Sequence, residues 1–372
     1  MKTEIFSTAV VYFFLGAWAF ATTAAAQSSA MLSKAKTEAE TKGYIFETNH
    51  DAIVAKAKTE GKLVVFSSQD AEPLRAAADA FRKKYPFIDV KATEIGGTDN
   101  YTRMVQELKL GKTTAWDVNY VAFDYYAEYL PHQKKFDLLG MAKHGVLRIP
   151  PEMVDPVNRH ILALQTNIAG FAYNKKLVPE NKTPDTYEDM LKPEFKGKKF
   201  ATDVRPRAVA ALVPAWGLEK VVAYAKKLAA QEPIWTRGDT RTLPLMTGGE
   251  ILMNLGLNYK GYLRFKEKDV QDVLAIKILE PVPVRLTEAE GVSAMARNPY
   301  AGLLWLEFQS GPEAQAILDK VDRAASHLTA GSFHEKATRG RKLSLLGWEH
   351  YSQMGKYEEE IVKAFGFPRA DK

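Results

Sequence analysis

The sequence contains no cysteine among its 372 residues. This absence excludes disulfide bonds, thiolate metal sites and cysteine nucleophiles. A chain without covalent cross-links depends on its apolar core for stability, and a chain of this length can build a large one. The composition permits such a core, because 46% of the residues are hydrophobic and 26% are charged, as in globular proteins.

The sequence also lacks an apolar run long enough to cross a membrane. A spanning helix needs about 20 apolar residues, and the longest run, from Ala9 to Ala21, stops short of that. Small residues at Ala24, Ala25 and Ala26 follow it, in the pattern of a signal-peptide cleavage site. We therefore predict a signal peptide over residues 1–26 and a periplasmic mature chain. An uncleaved anchor is the alternative.

Neither a basic cluster nor a catalytic motif is present. The net charge is +6, and the Lys and Arg residues are interspersed with acidic ones, which disfavours a nucleic-acid groove. None of the seven histidines belongs to an HExxH pair, and the GxSxG and GxxxxGK[ST] motifs are absent. We therefore expect a binding protein with no nucleic-acid partner and no cofactor, and not an enzyme.

The first third of the sequence alternates between strand-like and helical patterns. A polar helical stretch, Lys34 to Gly61, comes first. After it we predict the strand Lys62 to Ser68, the helix Glu72 to Lys84, the strand Ile88 to Glu94, the helix Tyr101 to Leu110 and the strand Trp116 to Val121. This alternation predicts an α/β layer with a mostly parallel sheet.

A second alternating region follows a long β-like stretch from Ile161 to Asn174. Its predicted elements are the strand Lys199 to Thr202, helices Arg207 to Trp216, Leu218 to Gln231 and Thr240 to Thr247, and the strand Ile251 to Leu257. A β-like run from Val273 to Val284 then provides a return crossing, and helices are predicted from Tyr300 to the end. We predict an N-terminal extension over 27–61, a first lobe from 62–168 plus 282–372, and a second lobe over 169–281. The tail, 331–372, is expected to pack as helices on the first lobe.

Polar residues follow three of the predicted strands in the first lobe. Ligands of such sheets bind at the carboxyl ends of the strands. The candidate ligand-binding residues there are Ser67, Ser68, Asp70, Gly97, Thr98, Asp124 and Tyr125. The alternative is that these small and polar residues only form turns.

Two loops that open helices in the second lobe carry further candidates. Free N–H groups at a helix start favour anions, and an arginine fork can hold a carboxylate or phosphate with two hydrogen bonds. The candidates are Asp203, Arg205, Arg207, Arg237 and Thr240. The alternative is that these arginines are solvated at helix starts.

Several segments, in order and spacing, resemble the family 1 extracellular solute-binding proteins, in the branch that contains ferric-ion-binding proteins. These segments are VVFSSQDAEPLRAAADAFRKKYP at 64–86, WDV at 116–118, GFAYNKKLVP at 170–179, TPDTYEDMLKPEFKGKKFATD at 183–203, TGGE at 247–250 and WLEFQSGPEAQAIL at 305–318. The resemblance implies a type II periplasmic-binding-protein fold, with two α/β lobes, two crossover strands and a ligand cleft. It also implies a monomer that delivers a small ligand to the permease of an ABC importer.

Ferric-binding members of this family hold iron with a His after the first strand, a Glu after the third and an adjacent Tyr pair. Counted onto this sequence, the His position falls on Asp70, and the Tyr pair falls on Tyr259 and Lys260. A protonated lysine cannot replace a phenolate ligand, and a cation there suits an anionic organic ligand instead. We therefore add Asn258, Tyr259 and Lys260 to the ligand-binding candidates.

Two alternatives to an anion importer stay open. A ferric site would have to use Asp70, Asp124, Tyr259 and Tyr262 as its oxygen ligands. A binding protein that serves a membrane sensor would have the same sequence features as a transport receptor.

Overall fold

The computed structural model describes residues 29–111 and 115–367. The predicted signal peptide lies outside this range, as does the side chain of Thr98. None of the described helices is both long and apolar enough to cross a membrane.

Helices and strands alternate along most of the described chain. The α-helices are α1 (29–41), α2 (His50–Glu60), α3 (Ala71–Lys84), α4 (Thr98–Lys109), α5 (Tyr126–Tyr129), α6 (Leu138–Lys143), α7 (Arg207–Ala210), α8 (Val213–Trp216), α9 (Leu218–Ala229), α10 (Asp239–Thr247), α11 (Tyr259–Lys266), α12 (Pro299–Ser310), α13 (Pro312–Val321), α14 (Phe333–Thr338), α15 (Trp348–Tyr351) and α16 (Met354–Phe365). Short 3-10 helices occur at Phe123–Tyr125, Leu130–His132, Pro151–Met153, Glu180–Lys182, Glu188–Leu191 and Pro193–Phe195.

The strands are β1 (Lys62–Ser67), β2 (Asp89–Glu94), β3 (Val118–Tyr120), β4 (Leu162–Asn174), β5 (Ala201–Asp203), β6 (Ile234–Thr236), β7 (Met253–Asn258), β8 (Leu274–Lys277), β9 (Val282–Val292) and β10 (Leu343–Leu346). Along the main path of the sheet their order is β2-β1-β3-β9-β4-β7-β5-β6. β10 pairs with β9, and β8 pairs with β4.

The first lobe is built on β1, which pairs in parallel with β2 and β3. Helix α3 covers this sheet because Leu74, Ala77, Ala78 and Phe81 recur at helical spacing and are all buried. The ring of Phe81 meets Trp305 of α12 edge to face, with 5.2 Å between ring centroids. The predicted strand-helix-strand unit is therefore confirmed.

The second lobe is built on β5, which pairs in parallel with β6 and β7. Helix α9 presents Val221, Tyr224 and Leu228 to the core of this lobe, and all three are buried. As in the first lobe, parallel strands alternate with helices. The sequence pattern predicted this second α/β unit correctly.

Two long strands connect the lobes. β4 pairs with β9 through Leu162–Ile168, and its remaining residues pair with β7 and β8 of the second lobe. β9 follows β8 in the chain and lies between β3 and β4, so it returns the chain to the first lobe. The prediction of a two-lobed α/β fold with two crossover strands is confirmed.

Some predicted boundaries differ from the structure. The helical stretch from Lys34 to Gly61 is two helices, α1 and α2, separated near Gly43, whose φ of 76° requires the left-handed region. The β-like run from Val273 to Val284 is also two elements, because β8 ends at Lys277 and β9 continues to Val292.

The expectation that the C-terminal tail packs as helices on the first lobe is only partly correct. Tyr351 of α15 packs on Tyr126 of the first lobe, but other parts of the tail do not follow the prediction. Leu343–Leu346 forms β10, which pairs in parallel with β9. Helix α16 buries Tyr357, Ile361 and Phe365 and packs on α9 and α7 of the second lobe, as well as on Phe123–Tyr125. The apolar face of α16 thus fills a gap between the lobes, which local periodicity could not indicate.

Candidate functional site

A cavity of about 420 Å³ lies where the two lobes and both crossover strands meet. A smaller cavity of about 120 Å³ extends from it toward α7 and α10. The side chains that line both cavities are Asn167, Arg205, Arg207, Asn258 and Arg285. These shared residues come from β4, β9 and the second lobe. A ligand bound here would therefore contact both the crossover strands and the second lobe, which a hinge motion can separate.

The structure brings about half of the predicted binding residues to these cavities. Those that line the larger cavity are Ser68, Gly97, Asp124, Arg205, Arg207, Asn258 and Lys260. Asp203 lines the smaller one. Ser67 is fully buried behind them.

Five other described candidates are absent from the linings of both cavities. Arg237 and Thr240 are exposed on the surface, and the hydroxyl of Tyr125 is 2.9 Å from that of Thr102. Asp70 accepts a hydrogen bond from Arg264. Tyr259 packs against Tyr262 and His334, with ring centroids 6.3 and 6.0 Å away.

Arg285 of β9 is a functional candidate that the sequence reading missed. The residue is only 8% exposed, yet it lines both cavities. Within the described chain no hydrogen bond or ion pair to its side chain is found, and its guanidinium lies 5.6 Å from the centre of the Phe123 ring. Burial lowers the pKa of Arg285, and the neighbouring charge of Arg207 lowers it further. The sequence did contain a signal for this residue, because Arg285 is a charged residue within an otherwise apolar strand sequence.

Arg207 also lies near Phe123, with its guanidinium 5.8 Å from the ring centre. Its nearest carboxyl partner is Glu358 of α16, at 3.8 Å. That separation is too long for a good hydrogen bond. Arg207 and Arg285 therefore form a pair of guanidinium groups whose donors are largely unused.

Arg205 is held in place by Asp203. Its Nε and Nη2 donate to the two carboxylate oxygens of Asp203 at 3.1 and 2.9 Å. Burial alone would raise the pKa of Asp203, but hydrogen bonds from Arg205 and from the Gly238 N–H bring it below its usual range. Arg205 thus places its positive charge at the cavity wall, but two of its N–H donors are already bonded to Asp203.

Two carboxyl groups near the guanidiniums, those of Asp124 and Glu358, have raised pKa values. Burial raises the pKa of Asp124 and of Glu358, against the lowering effect of Arg207 and Arg285. Protonation of these carboxyls would reduce their repulsion of an incoming anion.

Asp239, the first residue of α10, lines the smaller cavity and gives a pH-dependent prediction. Burial raises its pKa from 3.8 to about 6, against a hydrogen bond from the Asn258 N–H. The folded protein therefore binds more protons than the unfolded chain between about pH 4 and 6, so this group lowers stability as the pH rises through that window.

We expect Asp239→Asn to raise the free energy of unfolding by about 3 kcal/mol at pH 7 and to have little effect at pH 3. The amide oxygen of Asn can still accept the hydrogen bond from Asn258. Urea unfolding at both pH values measures the difference. An equal change at the two pH values would contradict the assigned pKa.

Glu288 of β9 also lines the larger cavity and was not predicted. Its backbone has φ of 52°, which turns the chain out of the regular strand conformation. The carboxyl accepts hydrogen bonds from the Ser67 hydroxyl at 2.7 Å, from the Ser68 N–H at 2.9 Å and from the Ser68 hydroxyl. Ser67 and Ser68, predicted as ligand-binding residues, therefore orient a carboxyl group.

Glu290, two residues further along β9, is completely buried. Burial and the neighbouring Glu288 charge raise its pKa well above the usual range. Burial also raises the pKa of Glu288, but three hydrogen-bond donors oppose that effect. The pKa of Glu290 is therefore raised further than that of Glu288, and Glu288 is the more readily ionised member of the pair.

Lys260 lines the larger cavity, but its charge is already matched. Its Nζ is 2.7 Å from the buried Asp322, which also accepts a hydrogen bond from Arg264 at 3.0 Å. Arg264 in turn donates to Asp70 at 2.7 Å. Lys260, Arg264, Asp70 and Asp322 form a closed ion-pair cluster at the edge of the cleft.

The oxygen ligands suggested for ferric iron do not meet in one cavity. Of Asp70, Asp124, Tyr259 and Tyr262, only Asp124 lines either of the two described above. Tyr262 is buried, and its hydroxyl donates to the Leu274 carbonyl at 3.4 Å. Among residues 29–111 and 115–367, no group of three or more His, Asp or Glu side chains is arranged to hold a metal ion.

Comparison with known proteins places this cavity in a known fold. The chain is similar to the apo ferric ion-binding protein A of Pasteurella haemolytica, with 19% identity and a TM-score of 0.65 over 84% of this chain and 100% of that chain. Iron-bound HitA of Pseudomonas aeruginosa is 18% identical, with a TM-score of 0.59 over 81% and 99%. An ABC-transporter substrate-binding protein of Agrobacterium tumefaciens is 20% identical, with a TM-score of 0.61 over 83% and 96%.

At these identities the likeness shows the fold, which is that of two-lobed periplasmic binding proteins. A search of curated proteins finds no match. Residues 125–353, more than half of the chain, match the description bacterial extracellular solute-binding protein. The chain therefore belongs to the family of bacterial extracellular solute-binding proteins.

Proposed function

We propose that this protein captures a small anion between its lobes in the periplasm and delivers it to the permease of an ABC importer. The observation that carries the proposal is the buried, unpaired guanidinium of Arg285 at the wall of both cavities. An unpaired buried charge is costly. A carboxylate, phosphate or phosphonate group would offset that cost, because it matches the planar fork of an arginine with two hydrogen bonds.

The positions of the donors favour a ligand that couples the two lobes. Arg285 projects from a crossover strand, whereas Arg207 lies at the start of α7 in the second lobe. Gln165 of β4 also lines the larger cavity, and its side-chain N–H₂ has no partner within the described residues. An anion held by these groups would stabilise the closed arrangement of the lobes, which is the form that a permease distinguishes from the empty protein.

Ferric iron is the second candidate ligand, because iron-binding proteins are among the structural neighbours. Hard Fe³⁺ requires several anionic oxygen ligands. The oxygen donors here are dispersed, and a guanidinium with free donors faces the cavity instead. A ferric site would show a visible tyrosinate-to-iron absorption that disappears in Tyr259→Phe, and we expect no such band after addition of ferric salt with carbonate.

Calorimetric titration of the mature protein tests the anion proposal. The panel consists of inorganic phosphate, sulfate, ethyl phosphate and propionate, with glucose and putrescine as neutral and cationic controls. We expect at least one anion to bind and to raise the melting temperature, since a ligand selective for the folded state must stabilise it. Binding of a control compound, or of ferric ion alone, without binding of any anion would overturn the proposal.

A further inference from the structure

We infer that the ligand is a small zwitterion, whose anionic group binds at Arg285 and Arg207 and whose ammonium group binds beside Glu288. The inference rests on the proposed anion site and adds the second half of the ligand. It follows from the different chemistry of the residues at the two ends of the larger cavity.

The carboxylate of Glu288 is buried and has no cationic partner. Three donors from Ser67 and Ser68 fix its orientation, but they are neutral groups. Within the described residues, no lysine or arginine lies within ion-pair distance of it. Glu288 is 4% exposed and lines the cavity. A cation bound in the cavity could therefore pair with it and offset the cost of burying its charge.

Gln69 supplies an independent observation at the same end of the cavity. It follows Ser68 directly, is 2% exposed and lines the cavity. Neither atom of its side-chain amide has a hydrogen-bond partner in the described part of the chain. Whichever way the amide is oriented, its buried acceptor beside the cavity is unused, and an ammonium group has the donors to satisfy such an acceptor.

Two aromatic rings complete this end of the cavity. Tyr101 and Tyr120 both line it, with 5.1 Å between their ring centroids. The negative charge of Glu288 acts on both, because after burial it is the next largest cause of the raised pKa of each hydroxyl. Aromatic faces next to a carboxylate are favourable surroundings for an ammonium group.

The two other cations at the cavity wall, Arg205 and Lys260, do not compete with this assignment. Arg205 is paired with Asp203. Lys260 is neutralised by Asp322, in the ion-pair cluster with Arg264 and Asp70. Arg285 precedes Glu288 by three residues on β9, which separates their backbones by about 10 Å. The cavity is therefore polarised along β9, with unused cationic donors at one end and an uncompensated carboxylate at the other.

Matched ligand pairs test the inference. O-phosphoethanolamine is compared with ethyl phosphate, and β-alanine with propionate, because each pair differs mainly by the ammonium group. Calorimetry should give an affinity at least about tenfold higher for the ammonium member of at least one pair, as expected for a partly buried charge-assisted hydrogen bond. Equal or weaker binding of both ammonium members would overturn the inference, while binding of the plain anions would still support the anion site. Absence of binding by all four compounds would overturn the inference, and absence of binding by inorganic phosphate and sulfate as well would overturn the anion site.

The variant Glu288→Gln tests whether Glu288 is the residue that binds the ammonium group. The ratio of the two affinities within the responsive pair should fall to about one, whereas Glu349→Gln, an exposed control, should keep the wild-type ratio. A wild-type ratio in Glu288→Gln would overturn the assignment of the ammonium site. If Glu288→Gln does not fold, the comparison of ligand pairs with the wild-type protein still decides whether the ligand is a zwitterion.

Discussion

Replacing Arg285 with methionine should strongly weaken anion binding and, at the same time, stabilise the unliganded protein. Methionine retains much of the length and apolar contact of the arginine side chain, but it removes a buried charge that has no partner in the described structure. Removal of a buried charge that pairs with a ligand typically costs about 2–5 kcal/mol of binding, which corresponds to a loss of about 30-fold to several thousand-fold in affinity. The stability of the empty protein should rise by about 1 kcal/mol, because the desolvation cost disappears.

The opposite signs of these two effects distinguish a ligand-binding arginine from a structural one. Calorimetric titration with the bound anion measures the first effect, and urea unfolding without ligand measures the second. Arg341→Met is the control, since Arg341 is exposed and lies outside both cavities. Wild-type affinity in Arg285→Met, or a large loss of stability without ligand, would show that the guanidinium serves the fold and not the ligand.

Much of the fold could be predicted because its signals are local. β1 contains the continuous apolar run 63–66 and α3 buries one face of its own sequence, so that run and the helical spacing of Leu74, Ala77 and Phe81 are enough to identify them. The sequence of β10 alone does not identify it as a strand. It is a strand because Leu343–Leu346 meets the exposed edge of β9, and that edge comes from residues far away in the sequence.

The binding site was harder to predict because it depends on pairing between distant residues. Arg205 and Arg207 were found from a loop-to-helix pattern, but the pattern could not show that Asp203 occupies Arg205 while Arg207 remains largely free. Similarly, nothing near Lys260 in the sequence reveals its pairing with Asp322. Arg285 was missed because its importance arises from the position of β9 between β3 and β4.

The second large effect is expected from a substitution in the core-facing side of helix α16. Ile361 is fully buried at the interface of α16 with α9, so we expect Ile361→Ala to lower the free energy of unfolding by about 2–5 kcal/mol. Glu359→Ala is the matched control on the same helix. Glu359 is exposed and pairs only with Lys363 within the described chain, and such surface pairs contribute less than about 1 kcal/mol.

The same substitution should also weaken the binding of an anion, although Ile361 lines neither cavity. Helix α16 contacts Phe123–Tyr125 and α7, and it carries Glu358 opposite Arg207. A shift of this helix therefore changes the surroundings of both guanidiniums near Phe123. Urea unfolding and calorimetric titration of Ile361→Ala and Glu359→Ala separate the two effects. Loss of stability with unchanged affinity would show that α16 supports the second lobe alone, whereas loss of both would show that the C-terminal helix holds the anion site in its binding geometry.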